Sequence, residues 1–176
     1  MSVARNSPCP PLSDADWPAE LANMKDGFAT GLNVYRTMAH HPALLRAWAP
    51  LRQHIVRDSA LGPERSEIVI LRSAYRLGSS YEWSQHVHRA SLLGISDERI
   101  QAMRAEPDGE DALIAKAVDM LLVDHRLTLA FEVELALAIG RPAVIDLIAT
   151  VGFYSILGYL LMTYETPLDE NIPLAE

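Results

Sequence analysis

Cysteine is nearly absent from this sequence of 176 residues, in which Cys9 is the single example. One thiol cannot form an intramolecular disulfide, a Cys-x-x-Cys redox pair or a four-cysteine zinc site. The count therefore excludes a disulfide scaffold, and it leaves two-thiol redox chemistry without the residues that carry it.

Basic residues are outnumbered, with 15 Lys and Arg against 23 Asp and Glu and a formal net charge of −8 at pH 7. The isoelectric point is near 5.2. Phosphate backbones repel an acidic chain, and the basic residues form no cluster of five or more. We therefore expect no nucleic-acid partner.

Long hydrophobic runs are limited to one segment, Leu147 to Thr163, which contains no charged residue. The segment just reaches the length that spans a membrane, about 17–25 residues, and its hydroxyl-bearing residues dilute the apolar character. A core helix, or a helix buried between subunits, is the better interpretation. Residues Met1 to Arg5 lack the apolar stretch of a signal peptide. We expect a cytoplasmic protein that does not enter a membrane.

Hydrophobic residues make up 49% of the chain and charged residues 22%, as in ordinary globular domains. Apolar residues follow the helical period almost throughout. Prolines at first turns and glycines at ends delimit about eight predicted helices: 18–39, 43–56, one opening at Pro63, 81–93, one capped by Ser96, 112–123, one capped by Thr128 and 142–164. The sequence predicts an all-α fold: an irregular N-terminal arm (1–17), a single compact helical-bundle domain (18–166) and an extended C-terminal tail (167–176).

Glu82 and His86 are four residues apart in a predicted helix and therefore share one face. A carboxylate beside an imidazole fixes the tautomer of the ring and raises its basicity, which makes a competent general acid or base near neutral pH. Glu67 adds a second carboxylate if the two helices pack antiparallel across Gly78. The three residues are the candidate catalytic set.

Other interpretations of these residues stay open. A Glu/His pair at this spacing is often a solvated surface pair or a satisfied core histidine. A metal site from Glu67, Glu82 and His86 could be built from two helices, but no sharper spacing supports it and we expect no metal. His88 points to another side of the helix than His86.

The remaining histidines and aromatic residues read as structural. His40 and His41 precede Pro42 and mark a helix boundary, and the sequence shows no partner for His54 or His125. Four aromatic residues lie in apolar runs and are interpreted as core or as pocket walls: Trp48, Trp83, Tyr154 and Tyr159.

Four segments resemble the carboxymuconolactone decarboxylase / alkylhydroperoxidase D-like family: 39–42, 63–72, 81–86 and 90–94, within a likeness over Asn33 to Pro167. The separation of 19 residues between Glu67 and His86 is that of the glutamate and histidine of the family. A distinct branch is similar to this chain at Tyr-Glu-Trp-x-x-His. The resemblance implies an alkylhydroperoxidase D-like helical bundle that assembles into a symmetric homo-oligomer, a dimer, trimer or hexamer.

The chain departs from the peroxidase branch of that family, which carries Cys-x-x-Cys-x-x-x-His after the hinge glycine. Ser79 and Glu82 stand at the two cysteine positions here, while Glu67 and His86 match. Peroxide reduction by that motif needs a reactive thiolate and a resolving thiol. The resemblance that remains is to the decarboxylase branch, whose enzyme removes CO₂ from a carboxylated muconolactone.

The sequence thus predicts a cofactor-free lyase that acts on a small lactone or cyclic carboxylic acid. In this hypothesis His86 moves the proton, Glu67 orients the ring, and Glu82 tunes it or holds a water molecule. Predicted substrate contacts come from five side chains, the last two as candidate counter-charges: Tyr81, Trp83, Ser79, Arg72 and Arg89. Two alternatives stay open, an alkylhydroperoxidase-type activity and a non-catalytic helical oligomer that binds a small ligand.

Overall fold

The structure is a computed structural model that describes residues 7–175. This range contains no β-strand, and its eight α-helices are α1 (Asn33–Met38), α2 (Pro42–Gln53), α3 (Gly62–Leu77), α4 (Ser80–Leu92), α5 (Asp97–Ala102), α6 (Gly109–Val123), α7 (Leu129–Ile139) and α8 (Arg141–Thr163). The all-α prediction is confirmed. The segment Met1 to Arg5, on which the signal-peptide argument rests, and Glu176 lie outside the described residues.

The first predicted helix, 18–39, is wrong as a continuous element. A 3₁₀ segment covers only Ala19–Met24, and α1 begins at Asn33. Between them two glycines close turns, because the Gly27 N–H donates to Met24 O at 3.2 Å and the Gly31 N–H donates to Phe28 O at 3.3 Å. Glycine disfavours a helix interior by about 1 kcal/mol relative to alanine, which outweighs the apolar periodicity here.

Helix α2 starts where the sequence predicts a boundary. Pro42 occupies its first turn, and the Leu44 N–H donates to His41 Nδ1 at 3.4 Å. The helix ends at Gln53 and is followed by a short π-helical turn, His54–Asp58. This turn places side chains from the end of the predicted second helix in a direction that a regular α-helix would not give them.

Helices α3 and α4 form a hairpin at the centre of the fold. Gly78 adopts φ +71°, the left-handed conformation that ends α3, and Ser79 caps α4 by accepting from the Glu82 N–H at 3.4 Å. The buried face of α3 includes Ile68 and Leu71, both with no exposed surface. The short turn makes the two helices pack side by side in opposite directions. This is the antiparallel arrangement that brings Glu67 of α3 next to His86 of α4.

Helix α8 is long and apolar enough to cross a membrane by length and composition, with a mean hydropathy of 1.8 in its most apolar window. However, 56% of that window is buried inside the fold, where the helix packs against α3 and α7. Its residues Leu147 and Leu157 are almost completely buried. These contacts are those of a core helix. Length and composition alone are weak evidence that the helix spans a membrane.

The segment after α8 is extended and crosses back over α1 and α4. Asp169 accepts from the Asn33 N–H at 2.7 Å and from the Tyr81 hydroxyl at 2.5 Å. Near the end of the chain, the Ala175 N–H donates to Ser84 Oγ at 3.0 Å. The segment therefore covers the side of α4 next to the buried histidine.

Candidate active site

The hairpin of α3 and α4 brings the three candidate catalytic residues together. His86 Nδ1 lies 2.5 Å from Glu67 Oε2, and His86 Nε2 lies 3.4 Å from Glu82 Oε2. All three side chains are buried, with His86 only 3% exposed. One imidazole ring is thus held between two carboxylates, one at each nitrogen.

Burial and charge act in opposite directions on this ring. Burial lowers the pKa of His86, while the Glu67 carboxylate and then Glu82 raise it, and the net pKa lies above the ordinary histidine value. The imidazolium is therefore favoured near neutral pH, with each N–H directed at a carboxylate.

One oxygen of Glu82 is left without a partner. Glu82 Oε1 is buried and accepts no hydrogen bond from any described residue. A buried carboxylate oxygen without a donor is costly, so a substrate hydroxyl or a water molecule at this position would be stabilised. The contact from Glu82 Oε2 to the ring is also long, which leaves His86 Nε2 open to competition from a reacting group.

Two adjoining cavities reach the triad. A narrow one of about 20 Å³ is lined by Glu82 and His86, and a larger cleft of about 480 Å³ is lined by Glu67. The two cavities lie side by side and share four lining residues: Arg52, Val56, Arg89 and Tyr154. The cleft has the size of a small-molecule site, whereas the narrow cavity admits about one water or one functional group.

Tyr154 of α8 forms the wall between the cavities. Its ring meets the His86 ring edge-on, with centroids 5.0 Å apart and an interplanar angle of 87°. Burial, and next the Glu82 charge, raise the pKa of Tyr154 well above the ordinary value. The hydroxyl therefore stays protonated and can donate a hydrogen bond to a ligand in the cleft.

Of the predicted substrate contacts, Arg89 and Tyr81 lie at this site. Arg89 lines both cavities, and Tyr81 lines the narrow one while its hydroxyl is engaged by Asp169. Ser79 and Trp83 lie on the adjoining face of α4 and line a separate pocket with Arg104, whose guanidinium carbon sits 4.4 Å from the Trp83 ring centroid. The structure does not bring these two side chains to His86.

Arg72 is also placed elsewhere. It follows Glu67 by five residues, which turns it about 140° around α3 and away from His86. Its guanidinium donates to Asp119 at 2.6 Å and 2.9 Å, and to the carbonyls of Met103 and Ala105. Arg72 therefore ties α3 to α6 and to the segment after α5, and it is not a counter-charge at the triad.

A histidine for which the sequence shows no partner has one in the structure. His54 Nε2 lies 2.7 Å from Asp146 Oδ1, and Asp146 Oδ2 accepts from the Ala60 N–H at 2.7 Å. The hydrogen bond with Asp146 raises the pKa of His54. This contact fixes the π-helical turn to α8, and no local spacing could reveal it because the two residues are far apart in the chain.

The aromatic residues divide between core and surface. Trp48 stacks on Phe153 with ring centroids 4.3 Å apart, and Trp83 is 3% exposed. Tyr159, in contrast, is 55% exposed and is therefore not a core residue, but it lines a pocket with Leu121 and Ile148. Within residues 7–175, no group of three or more His, Cys, Asp or Glu side chains is arranged to hold a metal ion.

Residues 42–121, which include the whole triad, match the carboxymuconolactone decarboxylase family. The match confirms, over these residues, the resemblance seen in the sequence. No curated protein matches the chain.

Solved structures show the same fold. A variant of the debrominase Bmp8 in complex with 2,3,4-tribromopyrrole superposes with a TM-score of 0.73 at 18% identity, over 94% of each chain. The debrominase Bmp8 without ligand gives 0.68 at 18% identity, over 91% of each chain. At this identity the likeness establishes the fold alone.

Proposed function

We propose that the protein is a cofactor-free lyase of the carboxymuconolactone decarboxylase type. Its substrate is a small lactone or cyclic carboxylic acid, and His86 transfers the proton. The observation that carries the proposal is the buried contact of 2.5 Å between Glu67 and His86 beside a cleft of about 480 Å³. A non-catalytic binding protein would have no need to bury two carboxylates around one imidazole.

The proposed step is a decarboxylation with protonation at carbon. The bond to the carboxylate breaks, CO₂ leaves, and the electron pair is delocalised into the unsaturated lactone. His86 then delivers a proton from Nε2 to the carbon, and Glu67 stabilises the imidazolium before transfer. Tyr154 and Arg89 line the cleft as hydrogen-bond donors for the charge that develops on the lactone oxygen.

The size of the cleft, and the ligand of a protein with the same fold, both support a small ring as the substrate. A cavity of this volume suits a substituted five- or six-membered ring. The debrominase Bmp8, which shares the fold, was crystallised with 2,3,4-tribromopyrrole. We take this as support for a planar ring in the cleft, with different chemistry done upon it.

A peroxidase activity has less support. Ser79 and Glu82 occupy the positions where the peroxidase branch has thiols. The one cysteine, Cys9, belongs to the N-terminal arm, which is attached to α1 through the Leu12 N–H and Arg36 O at 3.3 Å. We expect no peroxide reduction with a dithiol donor.

We also propose that the protein is cytoplasmic and assembles into a homo-oligomer. On α7, Leu129, Val133 and Leu137 repeat every four residues and are 50% to 86% exposed. A second apolar stripe runs along α8 at helical spacing: Ile145, Ile148, Ile156 and Tyr159. A soluble monomer rarely exposes so continuous an apolar surface, and a symmetric partner would cover it with the same surface.

The assay that tests the proposed activity follows 4-carboxymuconolactone by its absorbance. We expect the wild-type protein to consume it, and His86→Asn to lose about 10²–10⁴-fold in turnover. His88→Asn is the matched control, because His88 is exposed on the same helix. Absence of turnover in the wild type, or equal turnover in His86→Asn, would overturn the proposal.

A further inference from the structure

The large cleft is lined by arginines that form no ion pair with a carboxylate of the described residues. Six arginines of the described chain form ion pairs with carboxylates: Arg36, Arg65, Arg72, Arg76, Arg99 and Arg141. Arg52, Arg57 and Arg89 line the cleft, and none of them lies within 4.0 Å of a carboxylate oxygen of residues 7–175. In a chain with net charge −8, three such cations around one cavity need an explanation.

The three arginines are presented by three different elements. Arg52 of α2 lies with its guanidinium carbon 4.0 Å from the Phe28 ring centroid, and its Nε donates to the Tyr35 hydroxyl at 3.2 Å. Arg89 lies one turn after His86 on the same face of α4. Arg57 belongs to the π-helical turn.

The π-helical turn is held in place by Asp146. Its carboxylate binds His54 at one oxygen, and at the other it accepts from the Ala60 N–H at 2.7 Å and Ser59 Oγ at 3.3 Å. These bonds fix the backbone on both sides of Arg57. The fold therefore fixes the point on the cleft wall from which the Arg57 side chain extends.

The rest of the cleft favours an anion with an apolar body. Glu67 is the acidic side chain among its lining residues, and that carboxylate is committed to His86. Apolar wall is supplied by Ile70 and Leu93 among others. The charge on the cleft wall thus comes from three unpaired arginines, against one carboxylate that is paired with His86.

We propose that Arg52, Arg57 and Arg89 form a subsite for the carboxylate of a small ring compound. The ring lies against the apolar wall, and its reacting carbon points toward His86, an orientation that rests on the proposed function. Guanidinium groups bind carboxylates through paired N–H donors, which gives the subsite both charge and direction. The carboxylate bound by the arginines is one that the reaction does not remove. Glu67 and Glu82 disfavour the reverse orientation, in which this carboxylate would face them.

Calorimetric titration with benzoate and with benzamide tests the subsite, because the two probes share ring and shape and differ in charge. We expect benzoate to bind wild type at least about tenfold more tightly than benzamide does, and Arg57→Gln or Arg89→Gln to weaken benzoate about tenfold or more. Arg126→Gln is the control, since Arg126 is exposed and does not line the cleft. Circular dichroism verifies that each variant is folded.

The titration separates the subsite from the proposed reaction. If benzoate binds through the arginines while the lactone is not consumed, the subsite stands and the proposed reaction fails. If benzoate and benzamide bind alike, or the arginine variants keep wild-type affinity for benzoate, the subsite is refuted whatever the protein does to the lactone.

Discussion

The two nitrogens of His86 have unequal environments. Nδ1 has a close carboxylate partner at 2.5 Å, whereas Nε2 faces its carboxylate at 3.4 Å. The close contact sets the orientation of the ring, and the long one leaves room for a reacting atom. This asymmetry assigns orientation to Glu67 and proton delivery to Nε2 in the proposed mechanism.

Replacement of Arg72 should destabilise the fold and leave the triad chemistry in place. Arg72→Met removes two hydrogen bonds from Asp119 and the Arg72 donor from two backbone carbonyls, and we expect a loss of about 2–4 kcal/mol in the free energy of unfolding. Arg76→Met is the control: Arg76 also contacts Asp119, at 3.3 Å, but its side chain is 37% exposed. It should cost less than about 1 kcal/mol. Urea unfolding that gives equal losses would contradict this account of Arg72.

Removal of the single thiol should not affect turnover. Cys9→Ser leaves the triad untouched, because Cys9 lies in the arm before α1. We expect kcat and KM for the lactone to match the wild type, with and without a dithiol in the buffer. A dependence on Cys9 or on added thiol would indicate redox chemistry that the proposed mechanism does not contain.

Among the secondary-structure elements, the α3–α4 hairpin is the part that the sequence predicts best. Gly78 ends one helix, Ser79 caps the next, and the 19-residue separation then requires Glu67 and His86 to face each other. Each of these features follows from local rules for how helices end, how they are capped and how their residues are spaced. Their closeness in sequence to His86 also predicts substrate contacts for Ser79 and Trp83, but these two side chains lie on another face of α4, where Trp83 packs into the core.

The cleft wall could not be predicted in the same way. Arg52, Arg57 and Tyr154 come from α2, the π-helical turn and α8, and no spacing in the chain relates them to His86. The π-helical turn arises from the tertiary contact with Asp146, which outweighs the continuing helical periodicity. Similarly, Gly27 and Gly31 outweigh the apolar pattern that predicts a helix through 18–39.

The contact between His54 and Asp146 should make stability depend on pH. The pKa of His54 is raised, so its contribution is complete below the unfolded value near 6.5 and is lost as pH rises through the folded value. The pKa of Asp146 is lowered, so its contribution is lost as pH falls below about 3.8. The contact therefore stabilises most between about pH 4 and 6.5.

Thermal unfolding of His54→Gln at pH 5.5 and at pH 9 checks this window. We expect the variant to lose more stability, relative to wild type, at the lower pH. His88→Gln serves as the control because its side chain is exposed and forms no ion pair with a described residue. A loss for His54→Gln that is equal at both pH values would argue against an ionic contact.

On the scale of the whole molecule, composition and helical periodicity predict a compact helical domain. The exposed apolar stripes on α7 and α8 are the surfaces through which we propose that it assembles. The uncharged run in α8 serves two purposes, since Leu147 and Leu157 are buried in the core while Ile148 and Ile156 face outward. Sequence alone predicts both the burial of the helix and its excess of apolar surface. It does not choose among the dimer, trimer and hexamer.

Sedimentation velocity at micromolar concentration tests the proposed assembly. We expect the wild type to sediment as an oligomer and Leu137→Glu to shift toward the monomer, because a charge in the apolar stripe loses its partner surface. Leu174→Glu controls for an added charge, since Leu174 is exposed in the C-terminal segment at 66%. A monomeric wild type, or an unchanged Leu137→Glu, would refute assembly through this surface.

The pH dependence of kcat/KM for the lactone tests the central claim, which is that His86 acts as an acid whose pKa is raised by Glu67. For wild type we expect kcat/KM to fall with rising pH through an ionisation above the ordinary histidine value. In Glu67→Gln that fall should move to lower pH, because the charge that raises the pKa is gone. A fall that stays at the same pH in Glu67→Gln, or that persists in His86→Asn, would contradict the account.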